Sequence, residues 1–291
     1  MSYINPFIPY YKRLTLFVLC IILCFILTTF LSVMTVNLFG TTPATVRIFV
    51  IIQNFVSMIL PATIITILIS NNPIGFWGIS KCPSVVQLVF TFLIMIVSIP
   101  AMNLIVAWNM SIHLPESLSA IEVWMRNLEN AAADTTFLLL DNNNIYSLII
   151  TILAVGIFTG FSEELLFRGT LMRIFQSRPM NIHIAIWLTA MIFSFIHFQF
   201  FGFIPRILLG AFFGYLFIWT KSLWMPIIAH VVNNSIVVIF SYNVGADIAT
   251  NSEIALGVNN GIYPNIYSIV SCILTIILLF IFHRFYSLKQ S

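Results

Sequence analysis

The chain has 291 residues, of which 60% are hydrophobic and 7% charged, with a formal net charge of +3 and a mean hydropathy of +1.05. Soluble domains carry about 25% charged residues, so this balance excludes one, and the small scattered positive charge leaves no nucleic-acid-binding surface. The composition points to an all-α polytopic membrane protein: one membrane domain over 1–291, a bundle of about eight transmembrane helices in the lipid bilayer.

Segments of about 20 apolar residues can cross the hydrocarbon core. Eight are predicted: Leu14–Phe39, Ile48–Ser70, Val85–Trp108, Ile145–Arg168 continuing toward Phe175, Ile184–Phe201, Ile207–Thr220, Leu223–Tyr242 and Ile266–Phe285. Lys12 and Arg13 precede the first run, which is too long for a signal-peptide core and is expected to be a membrane helix. The sixth segment is short, so a tilted or partly re-entrant course is expected there. Pro61 and Pro100 fall inside the second and third helices, where a kink is tolerated if neighbours re-satisfy the backbone. Pro226 falls in the first turn of the seventh, a favoured position.

Charge bias sets the orientation. With the N-terminus inside, Lys12, Arg13, Lys81, Arg173, Arg178, Lys221, Arg284 and Lys289 are internal, and Arg47, Arg126 and Arg206 are external. Both termini are therefore expected in the cytoplasm of a multi-pass protein of a plasma or inner membrane. The longest connection, Asn109 to Asn144, is then external and acidic. Within it Ile121, Val123, Trp124, Met125 and Leu128 interleave with charges; an amphipathic helix on the outer interface is expected, with a packed cap over the bundle as the alternative. The polar loop Asn243–Pro264 is expected to be mobile. Gly156-x-x-x-Gly160 and Gly210-x-x-x-Gly214 predict close helix packing inside the bundle. Cys20, Cys24, Cys82 and Cys272 show no metal-ligand spacing and read as small hydrophobes.

The stretch Ser162-Glu163-Glu164-Leu165-Leu166-Phe167-Arg168-Gly169 ends a long apolar run with three charges in six residues. Burying one charge in lipid costs about 2.5–3.5 kcal/mol on insertion scales, so the cluster needs a purpose. Glu164 and Arg168 are four apart and share a helix face as an ion pair. Glu163 is turned about 100° away, without a sequence-local partner. His197 lies on the fifth predicted helix, and His230 on the seventh with Asn234 four residues on and Asn233 beside it. At a rise of about 1.5 Å per residue, Glu163, His230 and His197 lie ~15, ~10 and ~20 Å from the inner edge, so they can meet in the inner half of the bilayer. His113, His183 and His283 sit near boundaries and receive no role.

A carboxylate beside an imidazole can deprotonate a water, and a second histidine with an amide can stabilise an oxyanion. That set suits hydrolysis of an amide bond. Equally, Glu163, His197 and His230 are three ligands for a zinc ion, Zn2+, whose fourth position holds the water. No serine or cysteine sits in a comparable constellation. A rival class, a proton-coupled transporter or a non-catalytic scaffold that shelters a peptide, also uses intramembrane ionisable groups, but no inverted repeat with paired broken helices is visible.

Three motifs, Glu163-Glu164-Leu165-Leu166-Phe167-Arg168, Phe193-Ser194-Phe195-Ile196-His197 and His230-Val231-Val232-Asn233-Asn234, occur in this order on the fourth, fifth and seventh predicted helices. They resemble the E-E-x-x-x-R, F-x-x-x-H and H-x-x-x-N/B motifs of the CPBP family, the CAAX-prenyl and bacteriocin-processing membrane proteases also called Abi. Leu209-Gly210 and Trp224-Met225-Pro226 look like the family as well, and the resemblance covers 145–242, a core of four predicted membrane helices. It implies an intramembrane endopeptidase acting on a peptide or membrane-protein substrate. Glu163 and His197 would activate the water, His230 and Asn234 would stabilise the oxyanion, and Glu164 and Arg168 would support the site. Members are described both as metalloproteases and as glutamate-dependent proteases, so the zinc alternative stays open.

Overall fold

A backbone that crosses hydrocarbon must satisfy its own hydrogen bonds, and long apolar segments do so as helices. The computed structural model describes residues 3–178, 180–246, 258–259 and 263–287. In chain order the helices are α1 (Tyr10–Phe39), α2 (Pro43–Ile69), α3 (Pro73–Trp77), α4 (Val85–Met110), α5 (Ser119–Leu140), α6 (Ile145–Gln176), α7 (Ile182–Phe195), α8 (Phe203–Thr220), α9 (Trp224–Val244) and α10 (Ile266–Ser287). Among the described residues, seven helices are long and apolar enough to cross a membrane, and α7 is apolar but shorter. The one strand pairing among them joins Val258–Asn259 to Tyr263–Pro264. Most of the predicted loop Asn243–Pro264 lies outside the described residues.

The predicted lengths of the fifth and sixth helices are exchanged. The sixth, expected to be short, is an 18-residue helix, whereas α7 has only 14 residues, about 21 Å of rise against a core of ~30 Å. The chain leaves the helix at Ile196, and Phe198 takes a positive φ of 53°. Side chains from elsewhere take up the polar groups of the turn. Asn109 Nδ2 donates to the Phe200 carbonyl at 3.1 Å and its Oδ1 accepts from the Ile204 amide at 2.9 Å. The Phe201 amide donates to Glu129 at 3.2 Å, and the Ser194 hydroxyl donates to the Phe203 carbonyl at 2.8 Å. Irregular backbone at membrane depth is tolerable when protein partners satisfy it in this way. Asn109 and Glu129 are distant in sequence, so apolarity alone overestimates the helix.

The same rule governs Pro100. The Ser271 hydroxyl of α10 accepts from the Ala101 amide at 3.1 Å and donates to the Val97 carbonyl, bridging the helical bond next to the proline. The glycine spacings also mark close approach. A Cβ at Gly156 would lie 2.5 Å from Ser235 Oγ, and one at Gly160 would lie 3.1 Å from the Val231 backbone, both on α9. Cβ atoms at Gly210 and Gly214 would meet Ala190 at 3.1 Å and Ile186 at 2.8 Å on α7. Gly-x-x-x-Gly is therefore used within the bundle, holding α6 to α9 and α8 to α7.

One end of the bundle joins Tyr3–Asn5 to the end of α2 and residues 78–81 to the start of α9, where the Trp224 indole donates to the Ile79 carbonyl at 2.8 Å. Arg178 and Tyr10 meet at this end. At the other end, Arg47 donates to the Asp141 carbonyl and to Asn142 Oδ1. The amphipathic α5 forms there and packs on the bundle through Trp124 against Phe200 (ring centroids 5.6 Å) and Arg126 over Phe201 (4.3 Å). Ile121 and Val123 remain exposed while Leu140 is buried, so α5 packs on the bundle and leaves other apolar side chains uncovered.

Candidate active site

Three packed elements, α6, the end of α7 and the first half of α9, bring the ionisable residues together. Along α6 the winding changes twice. Five α-helical residues, Gly160–Glu164, lie between two wider π-type stretches, Ile152–Thr159 and Leu165–Leu171. Such turns are uncommon and recur at functional sites. The two adjacent carboxylates lie in the regular stretch between them, about 100° apart around the helix.

Glu164 and Arg168 form the predicted pair. Arg168 Nη1 donates to Glu164 Oε1 at 2.6 Å and Nη2 donates to the Gly210 carbonyl at 2.8 Å. Both side chains are fully buried. The guanidinium also lies 4.9 Å from the Phe193 ring centroid and 5.4 Å from that of Phe213. Desolvating two charges is offset only when geometry and additional hydrogen bonds are good; here Oε1 and the guanidinium are well bonded, while Glu164 Oε2 is buried without a hydrogen-bond partner.

Glu163 has no partner on its own helix and two beyond it. Its Oε1 lies 3.8 Å from His197 Nε2 and its Oε2 lies 3.7 Å from His230 Nε2. These separations exceed a hydrogen bond and leave room for one small species in contact with carboxylate and imidazole together. His197 sits in the turn just past α7 rather than on the predicted helix, which explains how it lies level with Glu163. Its Nδ1–H donates to the Phe193 carbonyl at 2.7 Å. A carbonyl only accepts, so in the neutral ring the lone pair is at Nε2, facing Glu163. His230 Nδ1 lies 2.8 Å from Glu164 Oε1, and because that carboxylate is paired with Arg168, it accepts the Nδ1–H.

Phe193 packs both imidazoles. Its ring meets His197 at 5.0 Å, His230 at 6.0 Å and Phe167 at 5.1 Å, all edge-on, while Phe213 stacks on His230 at 5.1 Å. The aromatic residue of the second motif therefore holds the site together.

Asn234 Nδ2 donates to the Val155 carbonyl at 3.1 Å and its Oδ1 accepts from Asn233 at 3.2 Å. One N–H of the amide remains for the cavity that it lines. This cavity is about 790 Å³, and Glu163, His197, His230, Asn233 and Asn234 contribute to its wall. Sequence reasoning left out part of the lining. Gln53 and Asn54 of α2 face the cavity, with Asn54 donating to Thr159 at 3.1 Å and accepting from the Ser162 hydroxyl at 2.9 Å. Both are polar residues inside a predicted apolar span, a signal that was present and unused. Arg206, expected on the outer flank by charge, stands on the first turn of α8 and lines the same cavity.

The donor types are ones that zinc takes. Glu163, His197 and His230 offer one carboxylate and two imidazole Nε2 lone pairs, and each Nδ1–H is anchored on an oxygen, as is common behind metal-bound histidines. Among the described residues no group of three or more His, Cys, Asp or Glu side chains is placed to hold a metal ion, so the match is one of donor type alone.

Compared with known proteins, residues 145–236 match the family model described as Type II CAAX prenyl endopeptidase Rce1-like. No curated protein and no solved structure gives a match. The matched segment runs from the start of α6 into α9 and includes Glu163, His197, His230 and Asn234.

Proposed function

We propose that this chain, a member of the CPBP family of CAAX-type membrane proteases by its match over residues 145–236, is an intramembrane endopeptidase in which Glu163 and His197 activate the attacking water. The observation that carries this reading is the convergence of the Glu163 carboxylate on two imidazole Nε2 atoms at 3.7–3.8 Å in the wall of a large cavity. A water between Glu163 and His197 gives a proton to this pair as its oxygen attacks the scissile carbonyl. The carbonyl oxygen becomes an oxyanion facing the free N–H of Asn234 and Nε2 of His230. With Nδ1–H held by Glu164, a proton on His230 Nε2 is flanked by Glu163 and Glu164 and points toward the cavity. Collapse of the tetrahedral species breaks the C–N bond, and Glu163 and His197 return the proton to the leaving amine.

Glu164 and Arg168 touch no reacting atom and position His230. A zinc ion held by Glu163, His197 and His230 would supply a Lewis acid and a more acidic water. The catalytic core is the 145–242 segment. The charge bias favours both termini on the cytoplasmic side.

Hydrolysis of a peptide library by purified protein in detergent tests the proposal. Glu163→Gln and His197→Ala should abolish cleavage, and Asn234→Ala should lower kcat by about 10²–10³, the usual loss for one oxyanion donor, with little change in KM. Full activity in Glu163→Gln would overturn the assignment. Chelation together with elemental analysis separates metal-assisted from carboxylate-only catalysis.

A further inference from the structure

Arg206 is a cation in the wall of the catalytic cavity that the proposed reaction does not use. Its guanidinium donates only to the side chain and carbonyl of Gln199, at 2.7 and 3.3 Å. Among the described residues, no carboxylate lies within ion-pair distance of it. It is half-buried, on a helix long and apolar enough to span the membrane. Glu129 and Glu163 act on it electrostatically only from beyond ion-pair distance, so part of its desolvation cost remains, and an arginine fork offers further donors once Gln199 is satisfied. Two features fix its direction. Gln199 belongs to the same turn as His197, so Arg206 is tied to the catalytic histidine through three residues of chain. Gly202 leaves the guanidinium its space, because a Cβ there would lie 3.2 Å from Arg206 Nη2.

We infer that Arg206 is a specificity-determining residue that binds a carboxylate on the peptide entering the cavity. A carboxylate entering beside Glu163 in a poorly solvated cavity would be repelled unless a cation took it up, and Arg206 is the cation lining that cavity. The carboxylate comes from the peptide C-terminus or from an acidic side chain; the chemistry at Arg206 is the same. The inference rests on the endopeptidase reading for the identity of the ligand as a peptide, and its test does not depend on turnover.

Fluorescence anisotropy of three labelled peptides binding to the full chain in detergent tests it: one with a free C-terminal carboxylate, the same peptide amidated, and the amidated peptide with one glutamate added. A carboxylate-bearing peptide should bind the wild type about 10- to 100-fold more tightly than the plain amide, the range for a hydrogen-bonded charge. Selectivity for the free acid alone identifies the C-terminus; equal gain from the glutamate identifies a side chain. Arg206→Gln should erase the difference while leaving the plain amide's affinity unchanged, Arg206→Lys should retain part of it, and Gly202→Ala should weaken it by displacing the guanidinium. Equal binding of all three peptides to the wild type overturns the inference, and so does a preference that survives Arg206→Gln. A wild type that binds selectively but cleaves nothing would sink the endopeptidase reading and leave carboxylate recognition standing.

Discussion

Replacing Arg168 by leucine tests whether the buried pair on α6 is structural support for His230. The change removes a donor 2.6 Å from Glu164 Oε1 and another 2.8 Å from the Gly210 carbonyl, and leaves the Glu164 carboxylate buried with His230 as its remaining partner. Breaking one side of a buried ion pair costs about 3–5 kcal/mol. Glu164→Gln keeps the shape and an acceptor oxygen but leaves the buried Arg168 charge unpaired, so its loss should be of the same order, about 3 kcal/mol. In the double variant neither charge is stranded. Its loss should therefore fall short of the sum of the single losses by about 1–3 kcal/mol, the coupling expected for groups in contact. Reversible denaturation by SDS in mixed micelles measures all four proteins, and peptide hydrolysis on the same samples reports the site. An Arg168→Leu protein within about 1 kcal/mol of wild type, or losses additive to within ~0.5 kcal/mol, would refute the reasoning.

Gly156→Ala places a methyl group 2.5 Å from Ser235 Oγ and should cost about 1–3 kcal/mol by overpacking; Ser235→Ala on that background should recover much of the loss in the same assay, and no recovery would place the strain elsewhere. The Glu122 carboxyl on α5 is held down at about 2 by the Arg126 hydrogen bond first, then by the Leu114 amide and His113, below the ~4.3 of an unfolded chain. A lowered folded-state pKa stabilises fully above the unfolded value, and the stabilisation disappears as pH falls from about 4 toward 2. Hydrogen exchange over residues 112–128 should therefore lose protection across that window in the wild type, whereas a Glu122→Gln protein should be less protected at neutral pH and show no such transition.

Much of this architecture was legible from apolar run length, which marks helices because lipid offers the backbone no alternative partner. The Glu164–Arg168 pair was legible from spacing alone, and Glu163 from lacking such a partner. The end of α7 was not. Phe195 and Phe201 are equally apolar, and the bonds that open the helix between them come from Asn109 and Glu129, about 90 and 70 residues upstream. The same omission hid Arg206, because a charge count sees a cation beside a loop and cannot see that the loop folds inward. Asn54 illustrates the converse: its polarity was visible, but its place across the cavity from α9 depends on packing between α2 and α6 that no local pattern encodes.

The two wide stretches of α6 make the direction of Glu163 a matter of phase. Each residue of a regular helix advances the side-chain direction by about 100°, and a π-type turn delays that advance. The heading of Glu163 relative to Ile145 is thus the sum of an ordinary winding and a built-in lag. Regular winding between Ile152 and Thr159 with every residue kept would remove that lag and rotate every later side chain as a block. Glu163 would then turn from the two imidazoles while the internal Glu164–Arg168 spacing survived. In this helix, residue count carries as much information as residue identity.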